Sequence, residues 1–201
     1  MRTMWIAALV ALTLAGCARA PEPAPEPVQA LPLFPGETPA VRALIDKWAD
    51  HYDLPVTLVH RIVQRESDYR PGARSGPYWG IMQILPATAR NMGMEGHPRQ
   101  LLEADVGLKY SLRYMRGAWM LSGGDEATAV QWYARGYYFE AKRQGLLRET
   151  GLRGGLWQRY DRGEAAMPPI DARGRLVPPE PACEPRTGLA AALRGTGCPE
   201  V

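Results

Sequence analysis

The sequence predicts a mainly helical domain, and three observations support that prediction. Apolar residues recur at helical spacing in several segments between residues 38 and 160. No segment shows the sustained alternation of apolar and polar residues that is typical of a half-buried strand. Segments rich in proline flank this region on both sides, and they cannot build a packed core. We therefore expect one compact helical domain over about residues 37–160.

The N-terminal segment predicts export. Arg2 precedes an apolar run over residues 5–15, which is too short to span a bilayer stably and is typical of a secretory signal. The run ends in LAGC, which resembles the lipobox of bacterial lipoproteins. By that resemblance residues 1–16 are cleaved and Cys17 is lipidated, and Ala18 after it favours the periplasmic face of the outer membrane. The alternative is an ordinary cleaved signal with a chance cysteine.

The segments on either side of the domain have a linker-like composition. Residues 17–36 contain APEPAPEPVQALPLFPG, in which frequent proline favours an extended spacer. Residues 161–201 return to proline, glycine and charge, so we expect a loosely ordered tail. Cys183 and Cys198 lie in this tail, and in an oxidising compartment they form either a disulfide or two free thiols.

Within the domain, breaks at Pro, Gly and Asp delimit the helices. Residues 80–84, GIMQI, follow a loop that opens at Pro71 and predict a short apolar or extended piece. A last helical piece is expected around Trp157. The periodic segments predict helices from residue 38 to a break at 53–55, and over about 55–67, 86–93, 104–121, 125–134 and 138–144.

Glu66 is the residue that departs from the helical pattern. Val59, Ile62 and Val63 form an apolar stripe, and Glu66 takes the next place on it. Burial disfavours the charged form of a carboxylate, and so does the C-terminal end of a helix, so both effects raise its pKa. A carboxylic acid that stays protonated near neutral pH can protonate the leaving oxygen of a glycosidic bond. Alternatively, an arginine folds over and pairs with Glu66 at the surface; the candidates are Arg61, Arg65 and Arg70.

Three motifs around Glu66 resemble the soluble lytic transglycosylase family, which has a lysozyme-like fold. The segment ESDYRPGARSGPYWGIMQILPATA, residues 66–89, is similar to the family's ES…S…GLMQ..P.TA signature. DVGLKY at 105–110 resembles its glycine-containing long helix, and YARG at 133–136 resembles its YNAG motif. The resemblance covers about residues 40–145, with the motifs in the family's order.

The resemblance implies a role for each matched residue. Glu66 is the acid and base, and Ser75 lies near the N-acetyl group of the substrate. Met82 and Gln83 line the sugar groove, and Tyr133 lies close to the catalytic glutamate. Two departures concern the groove. Residues 76–80 are shorter and bulkier than the family's pattern, and Ala134 stands where the family has asparagine.

The constellation contains one carboxylate, and this points to a reaction without water. A hydrolase needs a second carboxylate to activate water or to attack the sugar, and Asp68, Glu95 and Glu103 have no special placement. A lytic transglycosylase instead uses the 6-hydroxyl group of its own N-acetylmuramic acid (MurNAc) residue. The expected partner is therefore a peptidoglycan glycan strand. The alternatives are a goose-type muramidase, which uses water, and an inactive peptidoglycan-binding lipoprotein.

The net charge, the histidines and the aromatic residues bear on the expected partners and ligands. A net charge of +3 without a basic run is too slight to indicate a nucleic-acid partner, so none is expected, and the scattered His51, His60 and His97 indicate no metal site. We expect no cofactor. Aromatic rings suit stacking on sugars, although at helical spacing many such rings belong to the core. The aromatic residues near the motifs are Tyr78, Trp79, Trp132, Tyr133, Tyr137, Tyr138 and Phe139.

Overall fold

The structure, a computed structural model, describes residues 32–178. The predicted signal segment, Cys17, Cys183 and Cys198 lie outside the described residues. Over the described range the chain forms seven α-helices, one 3-10 helix and one hairpin of two short strands. This confirms the predicted mainly helical class with a small β element. None of the helices between residues 32 and 178 is long and apolar enough to cross a membrane.

The helices begin and end close to the predicted residues. They are α1 (Pro39–His51), α2 (Val56–Ser67), α3 (Pro86–Asn91), α4 (Ala104–Leu121), α5 (Glu126–Arg135), α6 (Tyr138–Gln144) and α7 (Leu156–Asp161). Thr38 and Asp125 cap α1 and α5, since their side chains accept hydrogen bonds from main-chain amides of the first turn. The 3-10 helix Pro98–Leu102 was not predicted, because five residues carry too little of a helical repeat.

The long helix α4 forms the centre of the domain. It packs against α1, α3, α5, α6 and the 3-10 helix. Gly117 allows the approach of α6, because a Cβ atom there would lie 2.3 Å from the hydroxyl oxygen of Tyr137. The buried guanidinium of Arg113 forms an ion pair of 2.5 Å with Asp161 and donates a hydrogen bond of 2.9 Å to the hydroxyl of Tyr52. Arg113 therefore joins α4 to both α7 and the end of α1.

The β element is a hairpin that follows α2. Strands β1 (Arg74–Ser75) and β2 (Tyr78–Trp79) are antiparallel, with Ser75 opposite Tyr78. The extended piece predicted at residues 80–84 contributes only an isolated bridge, between Ile84 and Trp79. The strands lie earlier in the chain than predicted. The sequence does not reveal them, because strands of two residues show no alternation of apolar and polar residues.

Residues 33–37 pack on α2, where an extended linker was expected up to residue 36. The ring of Phe34 stacks on Tyr69 with 5.9 Å between centroids and lies 4.8 Å from the ring of His60. The Glu37 carboxylate is fully buried and pairs with Arg42 at 2.5 Å. We call residues 33–37 the N-terminal strap.

Residues 162–178 also lie on the domain, although a loosely ordered tail was expected there. Arg116 of α4 donates a hydrogen bond of 2.6 Å to the carbonyl oxygen of Pro168. Met167 and Ile170 pack against the main core, and Ile170 forms a bridge with Leu176. A few apolar residues and one buried arginine are thus enough to order a segment whose proline and glycine content predicts no fold.

Candidate active site

Glu66 lies in the last turn of α2, at the edge of the core. The side chains before it on the stripe, Val59, Ile62 and Val63, are fully buried, whereas the Glu66 side chain keeps 23% of its surface exposed. The helix ends directly after Ser67, because Asp68 and Tyr69 both adopt left-handed conformations with φ of 51° and 59°. The stripe therefore brings a carboxylate to the point where the core meets solvent.

The end of α2 is bound to the GIMQI segment. The Ser67 hydroxyl donates a hydrogen bond of 2.7 Å to the carbonyl oxygen of Ile81. Gly80 lies against the 3-10 helix, where a Cβ atom would be 2.1 Å from the carbonyl oxygen of Leu101. Gly80 also has a φ of +79°, so both its small size and its conformational freedom are required. These contacts set the distance between Glu66 and the segment that faces it.

A cleft opens beside Glu66 between the hairpin and α5. Its first part, of about 290 Å³, is lined by Arg65, Glu66, Ser75, Tyr78, Gln83, Tyr133 and Ala134. Its second part, of about 190 Å³, shares four of these residues and extends to Ile84, Leu85, Thr88, Tyr114, Arg135 and Gly136. We call the two parts together the Glu66 cleft. Among the described residues that line it, Glu66 is the only carboxylate.

Four of the five residues matched by the motifs line this cleft, and Met82 does not. Glu66, Ser75, Gln83 and Tyr133 all reach its surface. The Met82 side chain is completely buried in the core beneath the cleft. It contributes through its main chain, because its carbonyl oxygen accepts a hydrogen bond of 2.9 Å from the Tyr133 hydroxyl.

Gln83 is held in a constrained conformation. Its φ is +50°, a region that side chains other than glycine rarely adopt. Its amide nitrogen donates to the carbonyl oxygens of Ala73 at 3.1 Å and Gly80 at 2.8 Å. These two bonds hold the amide against the wall of the cleft. Backbone strain of this kind, supported by surrounding hydrogen bonds, is common at functional sites.

The environment of Glu66 favours its protonated form. Burial raises the pKa of the Glu66 carboxyl above its ordinary value, and the Arg65 guanidinium opposes this shift. The direction agrees with the prediction from the apolar stripe. Burial also raises the pKa of Tyr133 well above its ordinary value, and the nearby Glu66 charge adds to the shift. The Tyr133 hydroxyl therefore stays a neutral donor beside the carboxyl group.

The arginines expected as alternative partners of Glu66 are mostly engaged elsewhere. Arg61 pairs with Glu126 at 3.8 Å, and the Nε of Arg70 donates to the carbonyl oxygen of Ser67. Arg65 alone approaches Glu66, with 3.6 Å between its Nε and Oε1 of the carboxylate. This distance is an ion-pair contact without a hydrogen bond, so the expected pairing with an arginine is present only as a loose contact.

Of the seven aromatic residues expected around a glycan, only Tyr78 and Tyr133 line the Glu66 cleft. Tyr137 is buried against Tyr114 in the core, and Trp79 and Trp132 are partly buried against core clusters. Tyr138 and Phe139 are exposed outside the cleft lining. Tyr114 lines the cleft but was not predicted, although it stands four residues after Tyr110 on one face of α4. Between residues 32 and 178, no group of three or more His, Cys, Asp or Glu side chains could hold a metal ion.

The sequence was compared with models of known protein families, and the match includes the residues of the Glu66 cleft. The model of the transglycosylase SLT domain family matches residues 43–146, which is more than half of the chain. The chain therefore belongs to that family, whose domains have the lysozyme-like fold. No curated protein and no solved structure matches the chain. At the level of the family, the function is cleavage of peptidoglycan by a lytic transglycosylase-like domain, with peptidoglycan as the partner.

Proposed function

We propose that this protein is a lytic transglycosylase that cleaves the β-1,4 bond between MurNAc and N-acetylglucosamine (GlcNAc) without water. One observation carries the proposal. Glu66 is the single carboxylate among the described residues lining the cleft, and its pKa is raised by burial. One protonated carboxyl group meets the needs of a reaction whose nucleophile belongs to the substrate, whereas hydrolysis of a glycoside requires two carboxylates.

The proposed reaction uses Glu66 twice. The carboxyl group first gives its proton to the oxygen between MurNAc C1 and GlcNAc C4, and the bond from C1 to that oxygen breaks. The 6-hydroxyl oxygen of the same MurNAc then bonds to C1, and the Glu66 carboxylate takes the proton of that hydroxyl. The products are a 1,6-anhydro-MurNAc end and a GlcNAc with a free 4-hydroxyl group. The carboxyl group is restored, and no water is consumed.

The remaining cleft residues hold the substrate in this scheme. Ser75 presents a hydroxyl for hydrogen bonds to the sugars, and the ring of Tyr78, which is 45% exposed, offers a face for stacking. The Gln83 amide, bound to the main chain, shapes the wall of the cleft. Tyr133 shapes the wall nearest Glu66 and is held through the Met82 carbonyl. A sugar enclosed in this way brings its 6-hydroxyl close to C1, which gives the attack a high effective molarity.

The proposal includes a location at the cell wall. The LAGC sequence supports lipidation of Cys17 and attachment to the periplasmic face of the outer membrane. Such an anchor would hold the domain beside its substrate. Incorporation of labelled palmitate into the wild-type chain, and its loss in Cys17→Ser, would test this part.

The mass of the fragments released from peptidoglycan tests the reaction. The whole chain, purified in detergent, is expected to release fragments that each lack one water relative to hydrolysis products. Glu66→Gln should release none while keeping its circular dichroism spectrum. Asp68→Asn is the matched control, because Asp68 is an exposed carboxylate two residues away that does not line the cleft.

The other outcomes separate the alternatives. Hydrated fragments would indicate a muramidase that activates water with a group other than a carboxylate lining the cleft. Binding to peptidoglycan with no fragments from the wild-type chain would indicate a glycan-binding module. That module is favoured by Ala134, which lines both parts of the cleft where the family pattern has asparagine.

A further inference from the structure

The N-terminal strap lies against the turn that ends α2, two residues after Glu66. The ring of Phe34 stacks on Tyr69 with 5.9 Å between centroids, and Tyr69 is only 2% exposed. At Gly36 a Cβ atom would lie 2.8 Å from the carbonyl oxygen of Asp68. The strap therefore contacts both residues of the turn, Tyr69 through its ring and Asp68 through its main chain.

The turn itself is strained. Asp68 and Tyr69 have φ of 51° and 59°, and this left-handed region is unfavourable for side chains other than glycine, above all for a bulky one. Such a conformation persists only where the surrounding contacts determine it. Without those contacts the turn can relax to the right-handed region, and the chain would then leave α2 in a different direction.

Further contacts fasten the turn to the body of α2. The Tyr69 hydroxyl lies 3.0 Å from Nδ1 of His60, within hydrogen-bond distance, and His60 stands in the middle of α2. Phe34 covers this pair, because its ring centroid is 4.8 Å from that of the His60 ring. The strap is held in its turn by the buried Glu37 carboxylate, which accepts hydrogen bonds from the Arg42 guanidinium and from the main-chain amide of Phe34.

The turn determines how Glu66 and Ser75 face each other across the Glu66 cleft. Glu66 lies on α2 just before the turn, Ser75 lies on the hairpin after it, and both line the cleft. A change in the direction of the chain at the turn would therefore separate them. The family model begins at residue 43, so the strap lies outside the matched segment.

We propose that the N-terminal strap positions Glu66 for catalysis, and that Phe34 and Gly36 are positioning residues that act through the turn at Asp68 and Tyr69. The inference rests on the proposed function, because it concerns the acid of the same cleft. It also places the start of the active unit at residue 33, ahead of the segment that the family model matches.

Displacement of the strap should affect the reaction in two ways. A misplacement of about 1 Å can cost about a hundredfold in rate, so a loosened turn lowers kcat as well as kcat/KM. A loosened turn also exposes the Glu66 side chain, which is now 23% exposed, and this weakens the effect of burial on the Glu66 pKa. Because the acid works only while it is protonated, the alkaline limb of the kcat/KM profile should then move to lower pH.

The first test is Gly36→Ala in the full chain. The added methyl group meets the Asp68 carbonyl oxygen and pushes the strap off the turn. We expect kcat on peptidoglycan to fall at least about tenfold and the alkaline limb to move to lower pH. Gly163→Ala is the matched control, because Gly163 has a similar φ, +73° against +81°, but nothing lies within 4 Å of its added Cβ. Its kcat and alkaline limb should equal those of the wild-type chain.

Phe34 provides an independent test. Phe34→Ala removes the ring that covers Tyr69 and should reproduce both changes, whereas Phe34→Tyr keeps the ring and should stay close to the wild-type chain. Ile170→Ala controls for stability, because it removes an apolar side chain that packs against the core from the segment 162–178. All rates are measured well below the lowest melting temperature of the set.

The outcomes separate the inference from the proposed function. If Gly36→Ala and Phe34→Ala have lower melting temperatures but keep the wild-type kcat and alkaline limb, the strap only stabilises the fold and the inference is wrong. An equal fall in kcat in Ile170→Ala would overturn it as well. Anhydro products from the wild-type chain support the transglycosylase in either case, whereas their absence would reject the proposed function itself.

Discussion

The hydroxyl group of Tyr133 donates a hydrogen bond of 2.9 Å to the main-chain carbonyl oxygen of Met82. The two residues are 51 positions apart, and both are buried. The bond joins α5, which forms one wall of the Glu66 cleft, to the segment that forms its floor. It also explains how Met82 contributes to the site although its side chain never reaches the cleft.

Removal of this bond should loosen the cleft. Tyr133→Phe keeps the ring but leaves the Met82 carbonyl without its donor, and an unpaired buried acceptor costs about 1–2 kcal/mol. We expect a lower melting temperature and reduced cleavage of peptidoglycan. Tyr138→Phe is the control, because its hydroxyl is bound at the surface by Arg153 at 3.3 Å. Equal melting temperatures for the two variants would contradict the role assigned to the bond.

Alanine substitutions at Gly80 and Gly76 separate the energetic cost of backbone strain from the cost of a steric clash. Both have positive φ, +79° and +55°, so alanine at either position is strained by about 1 kcal/mol. At Gly80 the added Cβ would also lie 2.1 Å from the Leu101 carbonyl oxygen, whereas at Gly76 nothing lies within 4 Å. Gly80→Ala should therefore reduce the free energy of unfolding by about 3 kcal/mol or more.

The measurement for this pair is urea denaturation. Gly76→Ala should lose about 1 kcal/mol and keep its activity. Gly80→Ala should also lose activity, because relief of the clash must move the segment that carries Gln83. Similar losses of stability in the two variants would mean that the contact with Leu101 relaxes easily.

The pH dependence of cleavage should report the opposing effects of burial and of the Arg65 charge on the Glu66 pKa. The acid works only while it is protonated, so kcat/KM falls as the pH rises through the Glu66 pKa. The Arg65 charge lowers that pKa, and its removal leaves the effect of burial unopposed. In Arg65→Gln the alkaline limb of the profile should consequently move to higher pH. Arg61→Gln, which breaks only the contact with Glu126, should leave the limb in place. A shift to lower pH in Arg65→Gln would contradict the assignment of Glu66 as the acid.

The Arg113–Asp161 pair should make stability depend on pH. Burial acts against it, but the hydrogen bond and charge of Arg113, aided by Lys109, hold the pKa of Asp161 below its ordinary value. A depressed carboxyl pKa stabilises the fold above the pKa of the unfolded chain, and this contribution is lost as the pH falls through the folded value. Asp161→Asn should cost about 3 kcal/mol at neutral pH, because it leaves the buried Arg113 charge without its partner.

Melting temperatures measured across pH test this prediction. The difference between the wild-type chain and Asp161→Asn should be largest at neutral pH and should shrink below about pH 4. Asp171→Asn is a matched control, since its partner Arg175 is exposed at the surface. A difference that stays constant down to low pH would mean that the ion pair is not its source.

The sequence predicted the helices well where periodicity and end signals agree. Helix α4 occupies the predicted residues, because its apolar repeat is long and Gly123 and Gly124 follow it. A small β element was expected, but at residues 80–84 rather than at the hairpin over 74–79, and the 3-10 helix and the N-terminal strap were not predicted. Each of these pieces is too short to show a period.

Only part of the site could be predicted from the sequence. Glu66 was identifiable because a charge interrupts an apolar stripe, and its raised pKa follows from the same pattern. A motif indicates which residues lie near a site, but it does not say which way each side chain faces, so Met82 was expected in the cleft and is in the core. Tyr114 and Arg135 join the cleft only through the packing of α4 against α5.

The N-terminal strap determines where a mechanical load enters the domain. A pull on the chain ahead of residue 32 acts first on Phe34 and Glu37, which are fastened to Tyr69, His60 and Arg42. The first turn of α1 begins only after this fastening, at Pro39. Tension on the strap is therefore borne first by the contacts of the buried Glu37 carboxylate with Arg42 and His60, and these have to break before the main chain of α1 is pulled from its N-terminal end.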